Sequence, residues 1–396
     1  MLLFIVGDTM KKILSKCDKP LFFIMIIYSI LGLIMIFSAS NVSTVLRYHL
    51  STSHFFIRQA IFLIVSFIFG FLIVLNLPTK KYKYLTGFLV IFVVVALIGL
   101  FAYAGLTNNA QSWYNFGPIS LQPSEFAKTV IIIYMSVFYE RLAHKKTFNL
   151  SLYFIPLAVA GVIAVLVMMQ PDLGSAFIIV CISLGIFISI PNLKANIMRI
   201  VKFLLIGVAI LAITLIYSGN EIINSRQLQR FQFKNPCSRY REVTGYQVCN
   251  GFIAIHNGGL LGKGLGKSTQ KYLYLPESHT DFIFPIIVEE LGLIAGVLII
   301  GGYAFMLYRI LAIAKKSSTL QGSILAYGSF IYILAHILIN LLGILALIPL
   351  TGVPLPLLSY GGSFTINIII ILFIVQRVAV ENNNVEIKQT IAQITG

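Results

Sequence analysis

The chain has few acidic residues, 13 in all, and three groups of them have types and spacings that could do chemistry. Asp281 lies in Leu275-Pro276-Glu277-Ser278-His279-Thr280-Asp281-Phe282-Ile283-Phe284, which closes a long polar loop and opens a very apolar run. A carboxylate is thereby placed where water meets hydrocarbon, a costly position that marks a functional candidate. One chemistry open to it is general base catalysis at a membrane-edge cavity. A base must reach a hydroxyl, and partial burial raises a carboxylate pKa toward neutrality. The other reading is an N-cap: Thr280 or Asp281 would satisfy helix amides, with Pro285 in the first turn. Glu277 and Thr280 flank the carboxylate, and His279 either orients it or is an exposed loop residue. Glu289 and Glu290 follow inside the same run. Glu289 shares broadly one helix face with Asp281, whereas Glu290 points about 100° away. One of the two is expected to face a polar interior, and the spacing does not say which.

Glu125 and Lys128, three apart in an apolar run, are neighbours on one helix face. They form an internal ion pair that makes burial tolerable, or they line the same cavity as Asp281. A glycine-rich stretch, His256 to Ser268, invites a phosphate-loop reading but lacks the glycine a nucleotide loop needs at Leu261, and no strand precedes it. Its backbone amides with Lys263, Lys267 and Lys271 would suit a pyrophosphate, and a plain flexible loop fits equally well. Near the C-terminus, Pro349, Pro354 and Pro356 preclude a continuous helix, so the segment running to Ser359 and Gly362 is irregular and can dip back against the cavity. Asn340, just before it, reads as a structural polar group at membrane depth. Glu140, beside Arg141 and Lys145, reads as a surface ion pair.

The elements that position these groups are apolar. Of 396 residues, 58% are hydrophobic and 11% charged, with a mean hydropathy of +0.92. Soluble domains carry about 25% charged residues, so this is an all-α integral membrane protein. About ten runs approach the roughly 20 residues a bilayer needs, near 21–40, 57–77, 84–104, 122–140, 151–169, 174–191, 200–217, 282–308, 322–347 and 360–380. The net charge of +16 is scattered in short clusters, which argues for topology signals and anionic lipid, and against nucleic acid. Lys and Arg gather in alternate connections, which places both termini in the cytoplasm. It also leaves one long extracytoplasmic loop, 218–280, between the seventh and eighth runs. The whole of 1–396 reads as one polytopic membrane domain. The opening Met1 to Val6 is too short for a signal-peptide core with its cleavage site, and Met10 is a candidate start. Cys237 and Cys249 share the outer loop, where they either pair or remain thiols.

These residues resemble the SEDS family (shape, elongation, division and sporulation) over nearly the whole chain. The likeness rests on Phe37-Ser38-Ala39-Ser40, Gln122-Pro123-Ser124-Glu125 with Lys128, and Gln170-Pro171-Asp172-Leu173-Gly174. It extends to Gly258-Gly259 with Gly264-Leu265-Gly266, Pro276 to Phe282, and Pro354-Leu355-Pro356 through Ser359-Tyr360-Gly361-Gly362. The loop from Gly264 to Glu277 is most like the FtsW type, with the RodA type the near alternative. The resemblance implies a ten-helix bundle and a peptidoglycan glycosyltransferase polymerising lipid II at the outer face of the bacterial cytoplasmic membrane, at the division septum. It matches Asp281 to the family's essential aspartate, which takes the proton of the acceptor's sugar hydroxyl while the lipid pyrophosphate leaves. Glu125, Lys128, Glu277, His279, Thr280, Glu289, Glu290, Lys263, Lys267 and Ser359 become substrate-contact candidates. A class B penicillin-binding transpeptidase and other divisome proteins are the implied partners. No metal ligand set is implied, and a divalent cation requirement stays open. Gln111-Ser112-Trp113 departs from members that carry Arg before the Trp. The competing readings are a lipid II flippase, since charges inside helices also suit a transport path, and a scaffold that recruits a partner enzyme.

Overall fold

The computed structural model describes residues 13–104, 112–117, 119–145, 149–190 and 233–395. Among them run α1 (Lys19–Leu46), α2 (His54–Phe69, extended by a π-turn Gly70–Val74), α3 (Tyr82–Ala104), α4 (Pro123–Ala143), α5 (Leu150–Met168) and α6 (Leu173–Ser189). After them come α7 (Val243–Gly258), α8 (Ile283–Lys315), α9 (Leu320–Ile344) and α10 (Gly362–Thr395). Seven of the described helices are long and apolar enough to cross a membrane. The charged α4, 21 residues, and α6, 17 residues, accompany them. These nine correspond to nine of the ten runs read from the sequence; the remaining one, 200–217, lies outside the described residues.

The helices pack as a bundle around α4, α9 and α10, with α1 and α2 closing one side and α5 and α6 the other. Several ends are set by local chemistry. Asp18 caps α1 by accepting from Leu21 N and also pairs with Arg309 at the opposite end of α8 from Asp281. Asp172 caps α6 by accepting from Ser175 N. Its other oxygen takes Gln122 Nε2 at 2.8 Å and Ser124 Oγ at 3.0 Å, so two of the sequence motifs meet. Glu140 is no surface ion pair: its carboxylate accepts Gln321 N at 2.7 Å, because the start of α9 offers unsatisfied amides there. A two-stranded hairpin, Tyr114–Phe116 with Ile119–Leu121, leads into α4.

Two irregular segments are built into the bundle. The proline-rich stretch 345–361 turns back inward. Val353 and Leu355 to Ser359 are buried, and Leu357 O lies where a Cβ on Gly32, halfway along α1, would stand at 2.2 Å. Non-helical backbone at membrane depth survives only when protein groups satisfy it. Polar side chains of the neighbouring helices do so: Tyr303 donates to Pro356 O at 2.5 Å, and Asn340 to Val353 O at 2.8 Å. The second segment is the glycine-rich loop. It is docked on α8: the helix is broken at Gly292 (φ 88°, ψ 168°), and the loop fills the break. Lys263 N and Gly264 N donate to Glu289 O and Glu290 O at 2.9 Å, and Leu293 N donates to Gly259 O at 2.9 Å. Disulfide Cys237–Cys249 ties the preceding turn to α7.

Candidate active site

Asp281 sits in a tight turn just before α8, 9% exposed. Phe282 N closes the turn on Glu277 O at 3.1 Å. The helix N-cap is Phe282, with no side-chain cap hydrogen bond, so capping by Thr280 or Asp281 is not what the structure shows. Instead the Thr280 hydroxyl lies 2.9 Å from Glu277 Oε2 and 3.2 Å from Asp281 Oδ1, gathering three of the candidate residues. With one proton, it donates to one carboxylate at a time. Asn340 Nδ2 holds the Asp281 carbonyl at 2.8 Å. Gly352 forms the facing wall, with φ 74°, and a Cβ there would stand 3.7 Å from Asp281 Oδ2. The carboxylate thus lies between its own turn and the inward-turned segment.

His279 is buried, not exposed. Its ring packs against Phe55 at 4.5 Å and near Tyr360 at 5.7 Å, and its carbonyl accepts Tyr360 N at 2.9 Å. Burial, with the Arg47 cation nearby, pushes its pKa down to about 4, so the imidazole is neutral at pH 7. Ser359 is likewise interior: its hydroxyl accepts Leu355 N at 2.8 Å and closes the turn of the inward segment.

Glu289 and Glu290 are both fully buried and both face the glycine-rich loop. Glu289 takes Thr269 Oγ1 at 2.7 Å, Lys263 Nζ at 3.0 Å and the amides of Thr269 and Gln270 at 3.2 Å. Glu290 takes Lys271 Nζ at 3.0 Å and Ser38 Oγ of α1 at 2.7 Å. The loop lysines Lys263 and Lys271 therefore neutralise helix carboxylates, and the loop amides Lys263 N and Gly264 N bind helix carbonyls. Lys267 remains exposed on this loop. Glu125 and Lys128 pair at 2.7 Å with side chains 3% and 0% exposed. Sequence reasoning missed His336, which lies 3.3 Å from Lys128 Nζ. Its signal was available: His336 and Asn340 are four apart on an otherwise apolar helix, hence on one face. Gly292 gave no signal.

A bundle of membrane-length helices with a carboxylate beside an inward-turned segment defines a class, the polytopic membrane proteins. The family described as "Cell cycle protein", of FtsW, RodA and SpoVE, matches residues 18–384. Similar proteins include that of Bacillus subtilis, 37% identical with 89% of this chain and 88% of the relative covered, and that of Enterococcus hirae, 34% identical with 85% of each covered. Both are named "Probable peptidoglycan glycosyltransferase FtsW". Among solved structures, a chain from a peptidoglycan synthase complex aligns with TM-score 0.68 at 21% identity, covering 92% of this chain and 98% of that one. RodA of Thermus thermophilus aligns with TM-score 0.62 at 23% identity, covering 92% and 96%. The chain belongs to the FtsW, RodA and SpoVE family and is a multi-pass protein of the cytoplasmic membrane.

Proposed function

We propose that this chain is a peptidoglycan glycosyltransferase that polymerises lipid II at the outer face of the membrane, with Asp281 as general base. The observation that carries the reading is the placement of Asp281. Its carboxylate sits at the end of α8 that the Lys and Arg distribution assigns outward, between the Glu277–Thr280 pair and Gly352, in a chain that matches the family almost end to end. Asp281 takes the proton of the acceptor's sugar hydroxyl; the freed oxygen attacks the donor's anomeric carbon, and the lipid pyrophosphate leaves. Positioned cations offset the charge developing on that leaving group. Lys263, Lys271 and Lys128 already face carboxylates; among the described residues we assign this work to the exposed Lys267 and to Arg47, which reaches Pro276 O at 3.3 Å beside the site. Glu277, Thr280 and Lys267 are assigned to the substrate. Glu289, Glu290 and Lys263 are assigned to holding the loop, and His279 and Ser359 to the fold beneath it.

The division role is favoured because the relatives of Bacillus subtilis, Coxiella burnetii and Enterococcus hirae, 37%, 32% and 34% identical, carry the FtsW name. Septal placement, a class B transpeptidase and other divisome proteins as partners follow from that role, and the peptidoglycan synthase complex is a structural precedent for such an assembly. The test is purified protein with lipid II, with and without the transpeptidase. Glycan polymer is the expected product. No polymer, with lipid II instead crossing vesicles that contain the protein, would turn the reading to a transporter; neither activity would turn it to a scaffold.

A further inference from the structure

Glu125 and Lys128 are sealed inside the bundle, yet they connect to the Asp281 wall. Glu125 Oε1 accepts Lys128 Nζ at 2.7 Å, and Oε2 accepts the Tyr332 hydroxyl at 3.3 Å. Lys128 Nζ also lies 3.3 Å from His336 Nε2, and His336 Nδ1 lies 3.3 Å from Pro354 O. The four residues are 0–2% exposed. An ammonium has three donors and no acceptor, so Nε2 of His336 must accept. The imidazole proton then stands on Nδ1 and points at the Pro354 carbonyl, a tautomer assigned from its partners. Every bond in the chain has one direction, Lys128 to His336 to Pro354, with Glu125 as the partner of Lys128 at its other side. One helical turn further along α9, Asn340 binds the neighbouring carbonyl, Val353 O, together with Asp281 O.

We propose that Glu125, Lys128 and His336 form a positioning relay that fixes the irregular segment 352–354 beside Asp281, and that they do not contact substrate. His336 is the positioning residue and Pro354 the point it holds. The inference rests on the glycosyltransferase reading for its kinetic consequence, but its structural part is measurable without activity.

The test uses two substitutions that divide the imidazole. His336→Asn places its amide nitrogen near the Nδ1 position and keeps the donor to Pro354 O. His336→Gln places its oxygen near Nε2, keeps the acceptor for Lys128 and loses that donor. Full-length protein in detergent is compared by amide hydrogen exchange over 350–361 and by lipid II polymerisation. His336→Gln is expected to speed exchange there about tenfold and to lower kcat about tenfold with KM within about twofold, and His336→Asn, which keeps the carbonyl donor but loses Lys128, to show a smaller change of about threefold in both. Equal exchange in both variants and wild type would overturn the relay whatever the activity. So would a raised KM with unchanged kcat in either variant, since that marks a substrate contact. If exchange behaves as expected but wild type makes no polymer, the glycosyltransferase reading fails alone and the relay stands.

Discussion

Asn340 reaches the main-chain carbonyls of Asp281 and Val353 from one amide nitrogen, each at 2.8 Å. One side chain of α9 thereby joins the turn that carries the acid to the inward-turned segment that faces it. Asn340, Asp281 and Val353 are all buried, so the fork satisfies both carbonyls from within the protein. Asn340→Leu, similar in size, leaves both carbonyls without this donor. A buried unsatisfied group costs about 1–3 kcal/mol, so the variant is expected to melt several degrees lower in detergent and to lose activity. An unchanged melting point would show that the fork carries no load.

The Glu290–Lys271 pair, 3.0 Å apart and almost wholly buried, should behave as a unit. Removing one partner leaves a buried charge uncompensated, at about 3–5 kcal/mol. Glu290→Gln and Lys271→Met are each expected to destabilise strongly, and the double variant to recover much of the loss. Additive losses in a double-mutant cycle would contradict the pairing.

Two glycines of α8 should respond oppositely to Ala. Gly292 has φ 88°, and a Cβ there would stand 2.3 Å from Leu260 O, whereas one on Gly301 meets nothing within 4 Å. Gly292→Ala is expected to release the loop and lower stability by more than the ~1 kcal/mol that a strained conformation alone costs. Gly301→Ala should be tolerated or slightly stabilising, since Ala is the better helix former. Limited proteolysis over 259–271 reports the difference; equal protection in both variants would contradict the docking of the loop at Gly292.

His279 gives the fold a pH dependence of definite sign. Its folded pKa of about 4 lies below the ordinary value of 6.5, so the unfolded chain binds the proton first. Stability present at pH 7 is lost as pH falls from about 6.5 to about 4, by on the order of 3 kcal/mol, and no further below that. Melting curves of wild type and His279→Gln between pH 7 and pH 4 should diverge, with wild type falling more steeply. Parallel curves would contradict the buried neutral imidazole.

Much of this architecture is legible in the sequence because long apolar runs have few alternatives in a membrane. Asp281 stands out for the same reason: a carboxylate at a hydrocarbon boundary is costly and so marks a functional candidate. The roles of Glu289 and Glu290 were not legible, because helix geometry says which way each points but not that a distant glycine loop would supply Lys263 and Lys271 to meet them. The capping expectation failed at Phe282 because the turn satisfied itself through Glu277 O. The partners of Tyr303 and His336, the inward-turned carbonyls of Pro356 and Pro354, are set by tertiary packing and have no signal in the helices that carry the two side chains.

The central claim is that Asp281 is the base. The direct measurement is the rate of lipid II polymerisation by wild type and Asp281→Asn, each shown to be folded by an unchanged melting point. The substitution keeps size and removes the base, and general base catalysis is worth about 10²–10⁴-fold, so a loss of at least about 100-fold is expected. Equal rates from the two folded proteins would contradict the account and leave Asp281 as a structural member of its turn.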